Sequence, residues 1–413
     1  MTVIKDSVHD HIAVDGVALD LLDTPPLQRL RRISQLGTVS LVYPSANHTR
    51  FEHSLGVYHL ARRALEHLGV RGSRAATVEA AALCHDVGHG PFSHTLEALI
   101  HRHTGRYHDE VAHLIETDPI ASVLEDHDVS PRTVARLIAG EGRHGGLVSG
   151  DLDVDRMDYL VRDAHHTGVP YGTIDTGRLV TQLRLVDGDL VLEEGNVQTA
   201  ESLLVARALM NPTVYRHPVA RISKAMLRRA AARLVDSGSV DAAALARMDD
   251  MDLVVTLRRS EETAALVEHL DTRQLYKRAL WAELPDVPEG LLEADHERIR
   301  TLERSIADSA GVADEAVVLD VPSRPRMRES STTVLVNGEV RRLDRQSPLV
   351  QALRDATATQ WRLGVYSPAA HRDAVGRAAV STLGLDIDGP LVAEGPRGLS
   401  TTLDEFLDGT PNA

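Results

Sequence analysis

Hydrophobic residues in the first half of the chain recur with the period of helices. Over 49–68 apolar side chains return about every 3.6 residues, and Thr49 followed by Glu52 is the pattern of a capped helix start. The segment 75–85 is nearly all apolar, which predicts a buried helix that glycine and proline end. A third helix is predicted over 153–165, again followed by glycine and proline.

The pattern changes toward the C-terminus. Apolar runs typical of strands appear, and Asn337-Gly338 between two of them indicates a hairpin with a type I′ turn. The predicted elements are, in order, a strand, a hairpin, a helix, a strand and a helix at 316–322, 333–343, 347–359, 361–366 and 368–383. Together they predict a small α/β lobe.

These elements predict a mainly α protein with the small α/β lobe at its C-terminal end. The predicted organisation is a helical domain, a helical extension that is more charged, the α/β lobe, and a tail rich in glycine, proline and aspartate: 1–235, 236–312, 313–390 and 391–413.

Composition narrows the class of protein. The chain has 413 residues, which exceeds what one ordinary core organises, and 43% of them are hydrophobic, as in globular proteins. No apolar run approaches the roughly 18 residues that span a bilayer, and the N-terminus lacks the apolar core of a signal peptide. Cys84 is the single cysteine, which fits a reducing compartment. We therefore expect a cytoplasmic protein without a membrane partner.

The charge balance limits the partners. The net charge of −15 disfavours nonspecific binding to nucleic acid or anionic membranes, so any polyanion must enter a locally basic pocket. Only Lys5, Lys224 and Lys277 are lysines among 45 basic residues, which weakly suggests a halophilic or GC-rich source.

Histidines are concentrated in one stretch. Seven of the 21 lie between His85 and His113, and His85-Asp86 ends an apolar helix where solvated groups are not expected. A buried ionisable pair is costly unless it is paired or binds a metal. Imidazole with carboxylate suits Fe, Mn, Zn, Ni or Co better than Ca. Further ligands must come from elsewhere, and the candidates are His53 in the first helix and Asp155 in the third.

Two other interpretations concern the same residues. His85 and His89 are four positions apart, as in the zinc metalloprotease signature, but that motif needs a continuous helix and a glutamate where Asp86 stands. We therefore reject the protease. A purely structural polar cluster remains open at this level of the analysis.

Three motifs, in this order, resemble those of the HD-domain deoxynucleoside triphosphate triphosphohydrolases, a family that includes a human enzyme with a sterile-alpha-motif domain. They are RFEHSLG at 50–56, CHDVGHGPFSH at 84–94 and DVDRMDYLVRD at 153–163. The resemblance extends from about Ile4 to at least His217. It implies an all-helical HD bundle and the hydrolysis of a dNTP to a deoxynucleoside and intact triphosphate.

The resemblance also implies a metal centre and catalytic residues. The metal ligands would be His53, His85, Asp86 and Asp155, holding a divalent transition metal with an additional Mg²⁺ as a further expectation. His108 would protonate the departing 5′-oxygen, Asp109 would orient it, and His89 and His94 would line the phosphate site.

By the same resemblance, three arginines would contact the phosphates: Arg50, Arg156 and Arg207. Arg156 stands where some members have lysine, so the phosphate geometry can differ. The residues on the sugar side would be Gln35, Leu36, Tyr159, Asp163 and Tyr215. For the two tyrosines, ordinary helix packing remains an equal alternative.

A nucleotide activator site is a further implication, matched by Asp23, Gln28 and Arg31. In the family such sites lie between subunits, so the expectation includes a homo-oligomer, either a dimer or a tetramer. The alternative is that Thr24 and the following prolines simply start a helix. Asn211 and Pro218 depart from the human-type pattern.

Three functions are therefore compared. The first is dNTP hydrolysis, which the three arginines favour because several basic contacts suit a highly charged anion. The second is an HD phosphohydrolase acting on a nucleoside monophosphate or a cyclic nucleotide. The third is a non-catalytic nucleotide-binding regulator.

Overall fold

A computed structural model describes residues 1–186, 189–324, 327, 332–387 and 389–392. Its contacts group into two compact units. The first comprises Met1–Gln274 and Met327–Leu353, and the second comprises Leu275–Arg326 and Arg354–Ala413. The predicted tail, 391–413, lies outside the described residues from 393 onward.

Helices account for most of the described residues. They are α1 Gly16–Leu22, α2 Pro25–Arg29, α3 Arg50–His67, α4 Ser73–Cys84, α5 Glu97–Thr104, α6 Ala112–Ile115, α7 Ile120–Asp126, α8 Pro131–Ile138, α9 Gly145–Val148, α10 Val154–Thr167, α11 Thr176–Thr181, α12 Val197–Met210, α13 Pro218–Asp236, α14 Ala242–Arg247, α15 Asp250–Arg259, α16 Ala264–Asp271, α17 Glu289–Leu292, α18 His296–Ala310, α19 Pro348–Thr359 and α20 Arg372–Leu383. A π-helical turn, Asn211–Tyr215, continues α12.

The strands form three small sheets. They are β1 Thr2–Asp6, β2 Asp10–Val14, β3 Leu183–Val186, β4 Asp189–Leu192, β5 Lys277–Glu283, β6 Val318–Asp320, β7 Thr333–Val336, β8 Glu339–Arg342 and β9 Arg362–Ser367. The pair β1-β2 is an antiparallel hairpin, the order β3-β4-β7-β8 forms a four-stranded sheet, and β5-β9-β6 forms an antiparallel three-stranded sheet.

The three helices predicted in the first half are confirmed, and their ends follow the expected chemistry. Thr49 and Glu52 form the capping box of α3, with the Thr49 backbone N–H donating to Glu52 Oε2 at 2.6 Å. The Asp153 side chain caps α10 by accepting from the Arg156 N–H, and Gly168 ends the helix with a φ of 73°. α4 is apolar and lies largely buried in the core of the first unit.

The second unit has its own core, built by the three-stranded sheet against α18 and α20. The predicted strands at 316–322 and 361–366 correspond to β6 and β9. β5 was not predicted, because it lies in the segment 236–312 that the pattern assigned to helices. Its Ala279, Leu280 and Ala282 are buried in this core, and pairing with β9 overrides the helical preference of alanine.

The mainly α fold class is confirmed. The hairpin at 333–343 is confirmed as β7 and β8, joined by Asn337 and Gly338 with φ of 53° and 77°, as a type I′ turn requires. Among the described residues, the structure contains no helix with the length and apolar character needed to cross a bilayer.

Candidate metal centre and adjoining cavity

Four side chains from three separate stretches of the first unit meet at one point. His53 comes from the first turns of α3, His85 and Asp86 follow the end of α4, and Asp155 lies in the first turn of α10. His53 Nε2 lies 2.9 Å from Asp155 Oδ1 and 3.7 Å from Asp86 Oδ2. His85 Nε2 lies 3.3 Å from Asp86 Oδ1 and 3.9 Å from Asp155 Oδ1.

The donor set fits a divalent cation. The Nε2 atoms of His53 and His85 are buried and, within the described part of the chain, neither makes a hydrogen bond of good geometry. One ligand atom each from His53, His85 and Asp86 can be taken with all three within 4.8 Å of one another. Two imidazole nitrogens and two carboxylates that face one point form a donor set typical of transition-metal sites. Without a cation between them, these groups would be costly to bury.

Asp158 fixes the orientation of His53. Its Oδ2 lies 2.8 Å from His53 Nδ1, so the ring donates there and turns its Nε2 lone pair to the metal position. Arg162 donates to both Asp158 oxygens, and His9 Nε2 lies 2.6 Å from Asp158 Oδ1. Arg162 also donates to Asp6, so the β1-β2 hairpin supports the metal centre from behind.

The glycine of the first motif has a steric role. A Cβ on Gly56 would lie 1.9 Å from Asp158 Oδ1 and 2.5 Å from an Arg162 nitrogen. Only glycine therefore lets the Asp158–Arg162 pair approach α3 closely enough to reach His53.

The electrostatics of the centre favour a cation. Burial alone would lower the pKa of His53, but the carboxylates of Asp155 and Asp158 in contact with its ring, with Asp86 close by, raise it to about 10. In the absence of a metal, a proton on this ring balances part of the carboxylate charge. Arg50 compensates another part, since its Nη1 donates to Asp86 Oδ2 at 2.9 Å.

A second group of histidines lies next to the metal centre. His108 Nδ1 contacts one carboxylate oxygen of Glu97, and His94 Nδ1 lies 3.0 Å from the other. The ring of His89 stacks on that of His108, with centroids 4.0 Å apart, and its Nε2 lies 3.3 Å from Asp86 Oδ1. The structure therefore brings the three predicted histidines together.

Glu97 occupies the orienting position that the sequence analysis assigned to Asp109. Asp109 lines the same cavity, while the carboxylate in contact with the His108 ring is that of Glu97. Burial would lower the pKa of His108, but Glu97 raises it above its usual value. His94 is also held by Glu97, but its side chain is exposed, whereas that of His108 is partly buried. Of these two rings, His108 is the better proton donor.

Two backbone features place His108 and His94. A Cβ on Gly88 would lie 2.1 Å from the backbone oxygen of His108, so the glycine after the His-Asp pair allows this loop to pack. Phe92 and Ser93 both adopt φ of 55°, which reverses the chain before His94. Asp250 supports the turn by accepting from the Phe92 N–H. Such positive φ at non-glycine residues costs about 1–3 kcal/mol each and is typical of functional sites.

A cavity of about 480 Å³ adjoins the metal centre. Its lining includes Gln35, Leu36, Arg50, His85, Asp86, His94, His108, Asp109, Asp155, Tyr159, Asp163, Arg207, Asn211, Tyr215, Lys224 and Arg228. Most residues predicted to contact substrate therefore share one space with three of the four candidate metal ligands and with His94 and His108.

Arg156 is placed differently from the other predicted phosphate contacts. Its guanidinium donates to the backbone oxygens of Gly150 and Asp151 and lies 3.5 Å from Asp153, outside the lining of the cavity. A phosphate contact from Arg156 would require this side chain to rotate, and it stays a prediction.

One wall of the cavity is a hydrogen-bonded set on the predicted sugar side. The Tyr215 hydroxyl donates to Asp163 Oδ2 at 2.9 Å, and the His48 ring lies 2.7 Å from Asp163 Oδ1. The backbone of His48 also accepts from the Gln35 N–H at 3.0 Å. A single buried histidine thus fixes two sugar-side positions.

The predicted activator residues lie near the start of the chain. Gln28 donates to the Leu22 oxygen and accepts from Arg31, whose guanidinium lies 3.6 Å from the Phe51 ring centre. Asp23 is exposed at the C-terminal end of α1. An activator role for Asp23, Gln28 and Arg31 stays a prediction.

Sequence reasoning missed Glu97, His48 and the role of Asp158. The spacing His94-x-x-Glu97 was a usable signal, since a turn brings residues three apart together. Asp158 stood inside a quoted motif at i+3 from Asp155. Nothing in the sequence connected His48 with Asp163, because that contact joins positions far apart along the chain.

In this helical bundle two histidines and two aspartates converge beside a basic cavity. Such a site is characteristic of metal-dependent hydrolases. The comparisons with known proteins agree. The HD domain model matches residues 50–163 and the model of the HD associated region matches residues 174–394. The chain belongs to the HD-domain phosphohydrolase family.

Three relatives illustrate this membership. An uncharacterized protein from Methanocaldococcus jannaschii is 36% identical over 89% of this chain and 79% of its own. The human deoxynucleoside triphosphate triphosphohydrolase SAMHD1 is 27% identical over 78% of this chain, which spans 60% of that enzyme. The crystal structure of a phosphohydrolase from Bacteroides thetaiotaomicron superposes with a TM-score of 0.72 at 26% identity, covering 89% of this chain and 100% of that one.

Proposed function

We propose that this protein hydrolyses deoxynucleoside triphosphates to deoxynucleoside and intact triphosphate. The observation that carries the proposal is that one cavity is bordered by three of the four predicted metal ligands, by His108 and by several basic side chains. The relation to the human enzyme named above supports the choice of substrate.

The residues divide into three parts. His53, His85, Asp86 and Asp155 would hold the divalent ion, which supplies Lewis-acid activation and charge neutralisation when bound. The cationic wall that would bind the phosphate chain consists of Arg50, Arg207, Lys224 and Arg228. A chain of three phosphates matches several cations better than a single phosphate does.

His108 is suited to the protonation of the departing 5′-oxygen. Glu97 holds its Nδ1, which leaves Nε2 as the atom that delivers the proton. Because Glu97 also raises the pKa of His108, the ring carries that proton at neutral pH more readily than a free histidine does.

The sugar would lie against Tyr159, Tyr215 and Asp163, with Gln35 and Leu36 on its other side. Their hydroxyl, carboxylate and amide groups can bond a 3′-hydroxyl, and the two tyrosine rings, 6.2 Å apart, form an apolar wall for a ring without a 2′-hydroxyl. This arrangement favours a deoxynucleotide over a ribonucleotide.

Turnover assays decide between this function and the alternatives. The purified protein with Mn²⁺ is incubated with each dNTP, with ribonucleoside triphosphates, with deoxynucleoside monophosphates and with cyclic nucleotides. Release of triphosphate from dNTPs supports the proposal. Stepwise loss of phosphate, or turnover of only monophosphates or cyclic nucleotides, would replace it with the second function, and nucleotide binding without turnover with a regulator.

Activation and assembly are part of the same proposal. If Asp23, Gln28 and Arg31 bind an activator between subunits, added dGTP raises both the rate of dATP hydrolysis and the oligomeric mass. An unchanged rate and mass would remove the activator site and leave the catalytic proposal intact.

A further inference from the structure

A second basic cavity lies in the first unit, away from the metal centre. Its volume is about 940 Å³, and it is formed by the start of α4, the start of α8 and the loop before α9. Its lining includes Arg71, Arg74, Arg136 and Arg143. This concentration of positive charge is unusual in a chain with a net charge of −15.

Three of these arginines are exposed and have no charged partner among the described residues. Arg136 pairs with Glu141 at 3.1 Å, but within the described ranges Arg71, Arg74 and Arg143 form no ion pair and no side-chain hydrogen bond. Asp128 is the remaining carboxylate in the lining. Neighbouring like charges without counter-ions repel one another, so the cavity would be stabilised by a bound anion.

His144 provides an independent observation. It lines the cavity, is only 3% exposed, and its Nε2 atom has no hydrogen-bond partner in the part of the chain that is described. Burial, with Arg143 and Arg74 close by, lowers its pKa. A buried polar atom without a partner indicates a ligand that supplies one.

The start of α4 adds to the same cavity. Gly72 precedes the helix, Ser73 and Arg74 form its first turn, and both side chains belong to the lining. At 12 residues, α4 is long enough for its N-terminal N–H groups and dipole to attract an anion.

We propose that this cavity binds a multiply charged phosphate anion through Arg71, Arg74, Arg143 and His144. The site is separate from the metal centre, since α4 runs from this cavity to His85 and Asp86 and spans about 18 Å. The same chemistry can come from inorganic triphosphate or from the phosphate chain of a nucleotide.

The test measures the equilibrium binding of inorganic triphosphate to the full chain. Calorimetry gives the Kd, and the shift in melting temperature provides a second readout. Three proteins are compared: the wild type, the double variant Arg74→Gln/Arg143→Gln, and the control Arg132→Gln. Arg132 is exposed on α8 and does not line the cavity. Its replacement by glutamine removes a positive charge of the same type. Any triphosphate in the active-site cavity binds all three alike, so the difference between variants reports on this cavity.

We expect the double variant to lose one class of binding sites, with an apparent Kd raised at least about tenfold, while Arg132→Gln behaves as wild type. An equal Kd in the double variant and the control would overturn the proposal. The proposal would also fail if sulfate at matched ionic strength raised the melting temperature of the wild type as much as inorganic triphosphate does. That result would indicate general screening of the charges. His144→Gln, which keeps the surface charge, should weaken the same class alone.

A parallel titration with a deoxynucleoside triphosphate identifies the source of the phosphate. At the sites that the double variant loses, the Kd of the deoxynucleoside triphosphate is compared with that of inorganic triphosphate. A lower Kd for the nucleotide indicates that the site binds a nucleotide, and an equal or higher Kd indicates the inorganic anion. The nucleotide titration is made in the presence of a chelator, because turnover at the metal centre would convert the nucleotide into the inorganic triphosphate of the other arm. The titration with inorganic triphosphate itself does not depend on whether the protein turns over dNTPs.

Discussion

The carboxylate of Asp158 lies 2.8 Å from His53 Nδ1, on the opposite side of the ring from the metal position. Both groups are fully buried. The contact selects the tautomer in which His53 offers Nε2 as a ligand, and it increases the basicity of that nitrogen. The strength of the metal site therefore depends on a residue that is not itself a ligand.

Replacing Asp158 with asparagine should weaken metal binding by about 10- to 100-fold, because the amide holds the ring without the negative charge. Competition with a chelator, followed by metal analysis, measures the change. Asp126→Asn, an exposed change on α7, is the control. Wild-type metal affinity in Asp158→Asn would show that the contact is only structural.

Removing a ligand and removing the acid should have different consequences. His85→Ala or Asp86→Ala should abolish metal content and activity together, since each removes a donor atom from the ion. His108→Ala should keep the metal and lose about 10²- to 10⁴-fold in kcat. Metal analysis and kcat are measured on the same preparations. A His108→Ala protein with the wild-type rate would refute the assignment of the acid.

The rate should depend on pH through His108. Burial lowers the pKa of this ring, and the contact with Glu97 more than offsets it, so the pKa is raised. As an acid, His108 acts while protonated, and activity should fall as the pH rises through that raised pKa. Glu97→Gln removes the offset, so the alkaline limb of kcat should move to lower pH.

The measurement is a pH profile of kcat for wild type and Glu97→Gln at saturating metal. Glu110→Gln, in the neighbouring loop, serves as the control because its side chain accepts from the Tyr107 N–H and not from His108. An unmoved alkaline limb in Glu97→Gln would mean that another group limits the rate.

His48 should control discrimination between sugars. Its ring and its backbone hold Asp163 and Gln35, so His48→Leu should lower kcat/KM for a dNTP by about tenfold and reduce the preference over the ribonucleotide. His48→Gln, which can still donate to Asp163, should restore part of the preference. Inhibition by inorganic triphosphate, which has no sugar, should be the same in all three proteins. Equal loss for both substrates would indicate a general structural defect.

The buried pair of Asp6 and Arg162 should make the fold sensitive to acid. Burial raises the pKa of Asp6, but the bonds from Arg162 and from backbone N–H groups lower it below its usual value. A carboxylate whose pKa is lower in the folded than in the unfolded protein stabilises the fold at pH values above the unfolded-state pKa. This stabilisation is lost as the pH falls through the folded-state pKa. Asp6→Asn should therefore flatten the loss of unfolding free energy as the pH falls below the usual aspartate pKa of 3.8.

Arg162→Met should be more severe, at about 3–5 kcal/mol, because it leaves two buried carboxylates without their cation. Urea denaturation at pH 7 measures both variants. A loss under 1 kcal/mol for Arg162→Met would show that water or His9 compensates the carboxylates.

Local chemistry made much of the molecule predictable. The sequence predicted the start of α3 from Thr49 with Glu52 and the start of α10 near Asp153. In the structure both helices begin within one or two residues of the predicted positions. Asn337-Gly338 announced a hairpin for an equally local reason. The candidate ligands lay in long motifs, and the structure brings His53, His85 and Asp86 close enough to hold one ion. Their role as metal ligands stays a prediction.

What the sequence did not reveal depends on contacts between distant positions. β5 reads as helical on its own and becomes a strand only by pairing with β9. The hairpin residues Asp6 and His9 reach Asp158, about 150 positions later, and no periodicity encodes that contact. Glu97 is the first residue of α5, a helix of ordinary appearance, and the sequence alone did not show that its carboxylate contacts the ring of His108.

The convergence of α3, the end of α4 and α10 on one ion has a consequence for the lifetime of the protein. An ion that binds the folded chain but not the unfolded one adds about 4 kcal/mol of stability at a thousandfold excess over its dissociation constant. A cell short of transition metal would therefore hold a population that unfolds more often and meets proteases more often. Nutrient supply would then set the abundance of the protein as well as its turnover.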